Sequence, residues 1–312
     1  MRRTSRFLTA AVLAAAVAAG AAACSREGTA DGRGEREAEA AAFPVTVTDD
    51  AGREVTIASE PRTIVSLAPA NTEIVAALGL LERLGGVTTF DDYPPEVLDL
   101  PKVGDFVAPN IEAVAAAGPD LVLVTGGVQA DVIEKLEGVG AAVVTVDPQT
   151  LEGLYASIGM VGRVTGRSVE ASSVVGGIRA DLEGITAAIG DADDVPVFIE
   201  IAQNPLFTVG SGTLMDDLIA AAGGRNVVTQ PGYVPYSVEQ LVDDDPAVYL
   251  ATKGSMSDPS QLEGRPGYDK LRAVRGGRVA VLDDNLVSRP GPRVVLGVRA
   301  IAEALHPGAF GK

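Results

Sequence analysis

The residues that carry out covalent or metal chemistry are nearly missing from this chain. It holds one His, His306, and one Cys, Cys24. That excludes a His/Cys metal centre and any intramolecular disulfide. Gly210-Ser211-Gly212 is glycine-rich, but it has neither the Lys of a phosphate loop nor the spacing of a dinucleotide fingerprint. No Gly-x-Ser-x-Gly nucleophile elbow pairs with a base. The acidic runs Asp91-Asp92, Asp216-Asp217 and Asp243-Asp244-Asp245 lack the spacing of a cation loop and read as solvated turns and caps. The reading is therefore a protein that binds rather than reacts, with no catalytic residue, no metal ligand and no cofactor. The other classes considered are a secreted α/β hydrolase or transferase and a cell-surface adhesion module. The second needs a repeat array or an apolar patch that the sequence does not display.

Binding needs surfaces, and the aromatic residues are scarce enough to be informative. The chain has seven Phe, six Tyr and no Trp. Phe90, Tyr93, Phe106, Phe207, Tyr233 and Tyr236 all fall in loops after strands or before helices. In α/β sheets such loops gather at the carboxyl ends of strands, where ligands bind. Arg289 and Arg293, in Ser-Arg-Pro-Gly-Pro-Arg, flank a stiff turn and offer a site for an anionic group, or else form a surface pair.

The elements that must position these loops alternate. Strands are expected at 45–48, 63–67, 86–89, 121–125 and 142–146, and again at 196–201, 226–229, 247–251 and 278–282. Helical patterns lie between them at 72–78, 112–117, 130–138, 214–222, 238–242 and 294–305. Alternation of this kind predicts two α/β lobes with mainly parallel sheets. Residues 151–189 hold no strand candidate and read as a rigid helical bridge, with breaks near Gly166 and Gly176-Gly177. Asn110-Ile-Glu112 and Ser237-Val-Glu239 each open a short helix and stand at the same distance from a following proline, Pro119 or Pro246. Asn or Ser can cap those helices, and each Glu falls in a first turn where the macrodipole favours a carboxylate.

The N-terminal segment is of another kind. Arg2, Arg3 and Arg6 precede an apolar run that ends in Ala21-Ala22-Ala23-Cys24. That order predicts a signal peptide at 1–23, with export of the rest. Residues 25–42 are polar without an apolar period and read as a tether. The expected division is 1–23 signal peptide, 24–42 lipidated tether, 43–148 N-terminal lobe, 149–190 helical bridge and 195–312 C-terminal lobe. The formal net charge of −17 repels phosphate backbones and argues against nucleic acid as a partner. With 46% apolar and 21% charged residues, the composition excludes wholesale disorder.

Several stretches, in order, resemble the substrate-binding proteins of cobalamin and iron-chelate ABC importers. They are Arg62-Thr-Ile-Val-Ser-Leu-Ala-Pro-Ala-Asn-Thr-Glu73, Asp92-Tyr-Pro-Pro95, Pro109-Asn-Ile-Glu112, Asn204-Pro-Leu-Phe207, Gly223-Gly-Arg-Asn-Val227 and Arg289-Pro-Gly-Pro-Arg293. The resemblance implies two α/β lobes joined by a rigid helix, with a bulky metal chelate held between them. It is nearest to cobalamin-binding members, through residues 66–73 and 92–95. It implies that Phe90, Phe106, Phe207 and Tyr233 pack on the ligand, with Arg289 retained beside them; together with the loop aromatics Tyr93 and Tyr236 and the stretch Pro69, Ala70 and Asn71, these are the expected ligand residues. Phe106 and Tyr233 stand where those members carry tryptophan, and Ser288 stands where they carry a glutamate. Lipoproteins ending in Arg-Pro-Gly-Pro-Arg also bind ferric siderophores or haem, so both remain open beside a corrinoid. Ala-Ala-Ala-Cys24 resembles a lipobox with Ala21 in place of Leu, which implies acylation of Cys24 and a membrane anchor on the extracytoplasmic face. Glu112 and Glu239, one per lobe, take the places where the family docks on arginines of an ABC permease dimer with its ATPase subunits. The protein itself is expected to be a monomer.

Overall fold

Short runs of branched apolar residues build the first sheet. The structure, a computed structural model, describes residues 43–253 and 256–311. The expected signal peptide, tether and Cys24 lie outside the described residues. Val45–Thr48 (β1) and Glu54–Ile57 (β2) form an antiparallel hairpin. Its turn is tied down by Asp49, whose carboxylate accepts the backbone N–H groups of Ala51, Arg53 and Thr145 and pairs with Arg53 at 2.7 Å. Ile64–Ser66 (β3) leads into the helix Pro69–Ala77 (α1), and Leu84–Gly86 (β4) follows. Ile111–Ala116 (α2) then precedes Leu121–Val124 (β5), and Ile133–Glu137 (α3) precedes Ala142–Thr145 (β6). The sheet runs in the order β4-β3-β5-β6 with every pair parallel. Every residue of β3 and β5 is buried, as expected where helices cover both faces.

The connection between the lobes is a pair of helices, not one. Leu151–Thr165 (α4) is capped by Thr150, whose hydroxyl accepts the Gly153 N–H at 3.0 Å. It ends at Gly166, in the left-handed region at φ 73°, where a residue without Cβ carries no steric penalty. Ser168–Ile189 (α5) then runs back antiparallel, since Gly162 meets Ala171 while Tyr155 and Glu152 meet Arg179. A break was expected at Gly176-Gly177 as well, but α5 runs through it because both glycines face open space.

The second lobe carries a mixed sheet. Its elements are Val195–Gln203 (β7), Leu206–Val209 (β8), Leu214–Ala221 (α6), Gly224–Asn226 (β9), Tyr233–Pro235 (β10) and Val238–Asp244 (α7). Val248–Thr252 (β11), Arg272–Arg275 (α8), Val279–Leu282 (β12), Asp284–Val287 (α9) and Val294–Leu305 (α10) complete it. The order is β10-β8-β7-β11-β12, with β9 also on β7. Pairs β7–β9, β7–β11 and β11–β12 are parallel, whereas β7–β8 and β8–β10 are antiparallel. Strand β9 stops at Asn226, earlier than expected, because the Asn226 carboxamide donates to the Val209 carbonyl and accepts from the Val228 N–H, turning the chain. One apolar cluster extends from Ile64, Leu121 and Val144 through Leu154, Ile158 and Val161 to Val197, Leu218 and Ile301. The helix pair therefore shares a core with both sheets.

Candidate functional site

The parallel strands of the first sheet end at one cavity. Ala68 follows β3, Thr125 follows β5, and Val146 to Gln149 follow β6; all line it. Pro69, Ala70 and Asn71 add the start of α1, and Phe106 adds the loop before α2. The far wall comes from the second lobe, with Leu214, Tyr233, Ser288, Arg289 and Pro290, around a volume of about 240 Å³. Tyr233 also lines a second, larger cavity of about 730 Å³ with Phe207, Asn204, Pro205 and Met256. The two adjoin at Tyr233; the first is lined by polar and apolar groups alike and the second is mainly apolar, and together they are called the cleft.

Buried polar side chains hold the cleft's edges. Asn71 is 1% exposed and donates its amide to the Val124 carbonyl at 3.1 Å, pinning α1 to β5. Thr72 donates to Ser66 Oγ at 2.8 Å. Gln129 lies in a tight turn before α3 and is wholly buried. Its amide donates to the carbonyls of Leu67 and Phe106, each at 2.7 Å, while its oxygen accepts the Thr125 N–H at 3.0 Å. It thus sets the Phe106 loop on the ends of β3 and β5, as one satisfied carboxamide can do in an apolar surround. Nothing in the sequence around Gln129 marks this role except a polar side chain inside an apolar stretch.

An ion-pair network joins the two walls. Glu73, on α1 with a side chain 2% exposed, accepts Nε and Nη2 of Arg293 at 2.9 and 2.5 Å and Nη1 of Arg289 at 3.4 Å. Arg289 also pairs with Asp92 at 2.6 Å. Hydrogen bonding to Glu73 is the main cause that holds the Arg293 pKa above its usual value, against the effect of burial. In the second lobe Glu200 is buried and takes Tyr249 Oη at 2.5 Å, together with Ser257 and Arg265. Arg265 donates also to Gln203 at 2.6 Å, fixing the segment that brings Met256 to the second cavity. Burial, then Asp284 and Asp147, push the Tyr233 phenol upward.

Six of the expected ligand residues, Pro69, Ala70, Asn71, Phe106, Tyr233 and Arg289, line the first cavity, and Phe207 lines the second. Phe90 is 57% exposed beside Arg289, which donates to its carbonyl, and lines neither. Tyr93 stacks under Arg293 at 4.1 Å in a separate recess with Pro94 and Pro292. Tyr236 is a correction. It is 9% exposed, packs its ring 5.5 Å from Phe198 and donates its hydroxyl to Asp244. It belongs to the core of the second lobe because the chain leaves β10 at Pro235 and turns inward. Thr125, Asp147, Pro148, Gln149, Leu214 and Met256 line the cleft without having been expected there. Glu112 and Glu239 are exposed in the first turns of α2 and α7, behind the caps Asn110 and Ser237.

The chain is 38% identical over 277 residues to an uncharacterised ABC transporter substrate-binding lipoprotein of Bacillus subtilis, covering 86% of this chain and 87% of that one. It is 28% identical to a vitamin B12-binding protein of Vibrio campbellii, covering 77% and 88%. A periplasmic haem-binding protein from Pseudomonas aeruginosa has the same fold, with a TM-score of 0.72 and 31% identity over 80% of this chain and 94% of that one. Residues 64–286 match the model of the periplasmic binding protein family, and with the fold and the inter-lobe cleft in place, the chain belongs to that family.

Proposed function

We propose that this protein is the extracytoplasmic substrate-binding component of an ABC importer and that it captures a corrinoid. The observation that carries the reading is the cleft itself. Phe106 from one lobe and Tyr233 from the other line one cavity, and Tyr233 also borders a second with Phe207. Broad aromatic faces suit a large, rigid, mostly apolar chelate. The cobalamin- and vitamin B12-binding relatives favour a corrinoid among such chelates. Ferric siderophore or haem is the second reading, favoured by the likeness to the haem-binding protein. The family consists of transport receptors rather than enzymes, so stoichiometric retention without turnover is expected.

In this reading Cys24 carries the lipid anchor, residues 25–42 are the tether, and the monomer docks its two lobes on the permease through Glu112 and Glu239. Exposed carboxylates contribute little affinity each but orient the encounter with a basic surface. Glu112→Gln with Glu239→Gln should leave ligand affinity unchanged and lower permease association, most visibly at low salt. Acylation is read by lipid labelling of the wild type against Cys24→Ala. The ligand test is titration of the soluble form, from Arg26 onward, with cyanocobalamin, a ferric siderophore and haemin. Saturable one-to-one binding of cyanocobalamin supports the corrinoid; its absence alongside saturable binding of an iron chelate refutes it.

A further inference from the structure

The cleft has an unusual charge balance. Among the described residues, Arg289 is the one cationic side chain that lines either cavity. Its charge is already engaged by Asp92 at 2.6 Å and by Glu73, which also holds Arg293. Two carboxylates face two guanidiniums in that network, so it presents no net positive charge to a ligand. Asp147 stands on the opposite side of the balance. It lines the cavity, half-buried, with its carboxylate accepting the Thr125 hydroxyl at 2.7 Å, and among the described residues no Lys or Arg pairs with it. Its backbone N–H donates to a further carboxylate, Asp50, at 2.7 Å. Asp284, one turn before the lining residue Ser288 and hydrogen-bonded to it at 2.5 Å, adds another charge that, among the described residues, no Lys or Arg pairs with. Among the described residues, Tyr233 is the one ionisable group that lines the second cavity.

We infer that the cleft selects its chelate by charge, accepting neutral or cationic metal chelates and rejecting those that carry free carboxylate or catecholate charge. An anion in this cleft meets the half-buried Asp147 carboxylate, where repulsion is screened less than between fully exposed charges. Among the described residues the one guanidinium that lines the cleft, that of Arg289, must leave Asp92 to meet it. A built-in repulsive group of this kind discriminates between ligands of equal shape. Neutral polar groups at the rim, Gln149, Asn204 and Ser288, suit carboxamide or hydroxamate edges. Tyr233 stands between the two cavities with Asp284 and Asp147 near enough to push its phenol further upward, which again disfavours negative charge at this place.

The inference rests on the reading of the cleft as a chelate site, and a series of probes separates the two. Dissociation constants are measured by calorimetry at low salt for cyanocobalamin, aquocobinamide, ferrioxamine B, haemin and ferric enterobactin. The neutral and cationic members should bind tighter than haemin and ferric enterobactin by about tenfold or more. Raising the salt should narrow that gap, since screening weakens the repulsion. Asp147→Asn keeps an oxygen for Thr125 and should improve the anionic probes relative to the neutral ones; Asp284→Asn, which lies behind Ser288 and lines neither cavity, should do so to a smaller extent. An unchanged melting temperature certifies the fold of each variant. Haemin or ferric enterobactin binding as tightly as the neutral probes overturns the charge rule while leaving a chelate receptor. So does an Asp147→Asn variant that leaves the preference untouched. Failure of every probe to bind overturns the chelate reading and the charge rule with it.

Discussion

Glu73 offers the most direct test of how the two walls are held. Its carboxylate is 2% exposed and meets Arg293 in a two-pronged pair at 2.9 and 2.5 Å, with Arg289 at 3.4 Å. Glu73→Gln preserves shape and one acceptor but leaves the Arg293 guanidinium facing an amide. Breaking a buried pair on one side costs about 3–5 kcal/mol. The guanidiniums are 19% and 16% exposed, and Arg289 keeps Asp92, so water and that carboxylate recover part of the loss. The expected cost is about 2–3 kcal/mol. For a chain of this size it lowers the thermal midpoint by roughly 5–10 °C. Arg289 and Pro290 line the cavity, so ligand affinity should weaken in the same variant. The assay is thermal and urea unfolding of wild type, Glu73→Gln, Arg293→Gln and the double variant. Groups in direct contact should couple, and the double variant should lose less than the two singles together by about 1 kcal/mol or more. Additive losses, or a midpoint within about 1 °C of wild type for Glu73→Gln, would refute the argument that this pair fastens α1 to the segment before α10.

Three further outcomes are expected. Tyr236→Phe removes the bond to Asp244 and should cost about 1 kcal/mol of stability with no change in ligand dissociation constant, since Tyr236 is a core residue; a large loss of affinity would return it to the cleft. Asp91 is 2% exposed, and burial pushes its carboxyl upward although Oδ2 accepts the Thr88 N–H and hydroxyl and Lys102 lies near. A raised folded pKa means that the native state holds the extra proton, so stability falls as pH rises from the unfolded value through the folded one. Asp91→Asn should therefore gain on wild type as pH rises from about 4 to 7 in a melting series, and a difference independent of pH would contradict this. Gly162→Ala should destabilise by about 1–3 kcal/mol despite alanine's better helix propensity, because its Cβ would stand 2.4 Å from that of Ala171 across the α4–α5 contact; a stabilised variant would show that the helices part freely.

Strands β3, β5 and β6 were legible because each is a short run rich in branched apolar residues and largely buried, bounded by polar or glycine-rich turns, whereas β4, Leu-Gly-Gly at 84–86, was expected at 86–89 because it has no such run. Strands β2, β8 and β10 were not. Each has three or four residues and pairs antiparallel, where the alternation expected for parallel βα units predicts loops. The same short elements account for Tyr233 and Tyr236. Both were expected at a ligand, but Tyr233 lies in β10 opposite Val209 with its ring outward, while Tyr236 lies past the strand end and turns into the core. A loop aromatic identifies a ligand only once the register of the neighbouring strand is known.

The cleft-forming residues show a different limit. Within Ser66 to Glu73 the polar side chains are spent inside the protein: Thr72 on Ser66, Asn71 on the Val124 carbonyl 53 residues away, and Glu73 on Arg293, 220 residues away. Gln129 reaches back 62 residues to Leu67. No local pattern displays pairings over such distances, so a stretch that is recognisable as a family mark gives no sign of being a fastening rather than a contact surface. The consequence for function is a cleft whose edges are set before a ligand arrives. Buried, satisfied cross-links resist the opening that a hinged receptor needs, and the apolar cluster running through α4 and α5 into both sheets resists it again. A receptor built in this way loses little conformational entropy on binding and relies on the shape and charge of a preformed site to choose its ligand.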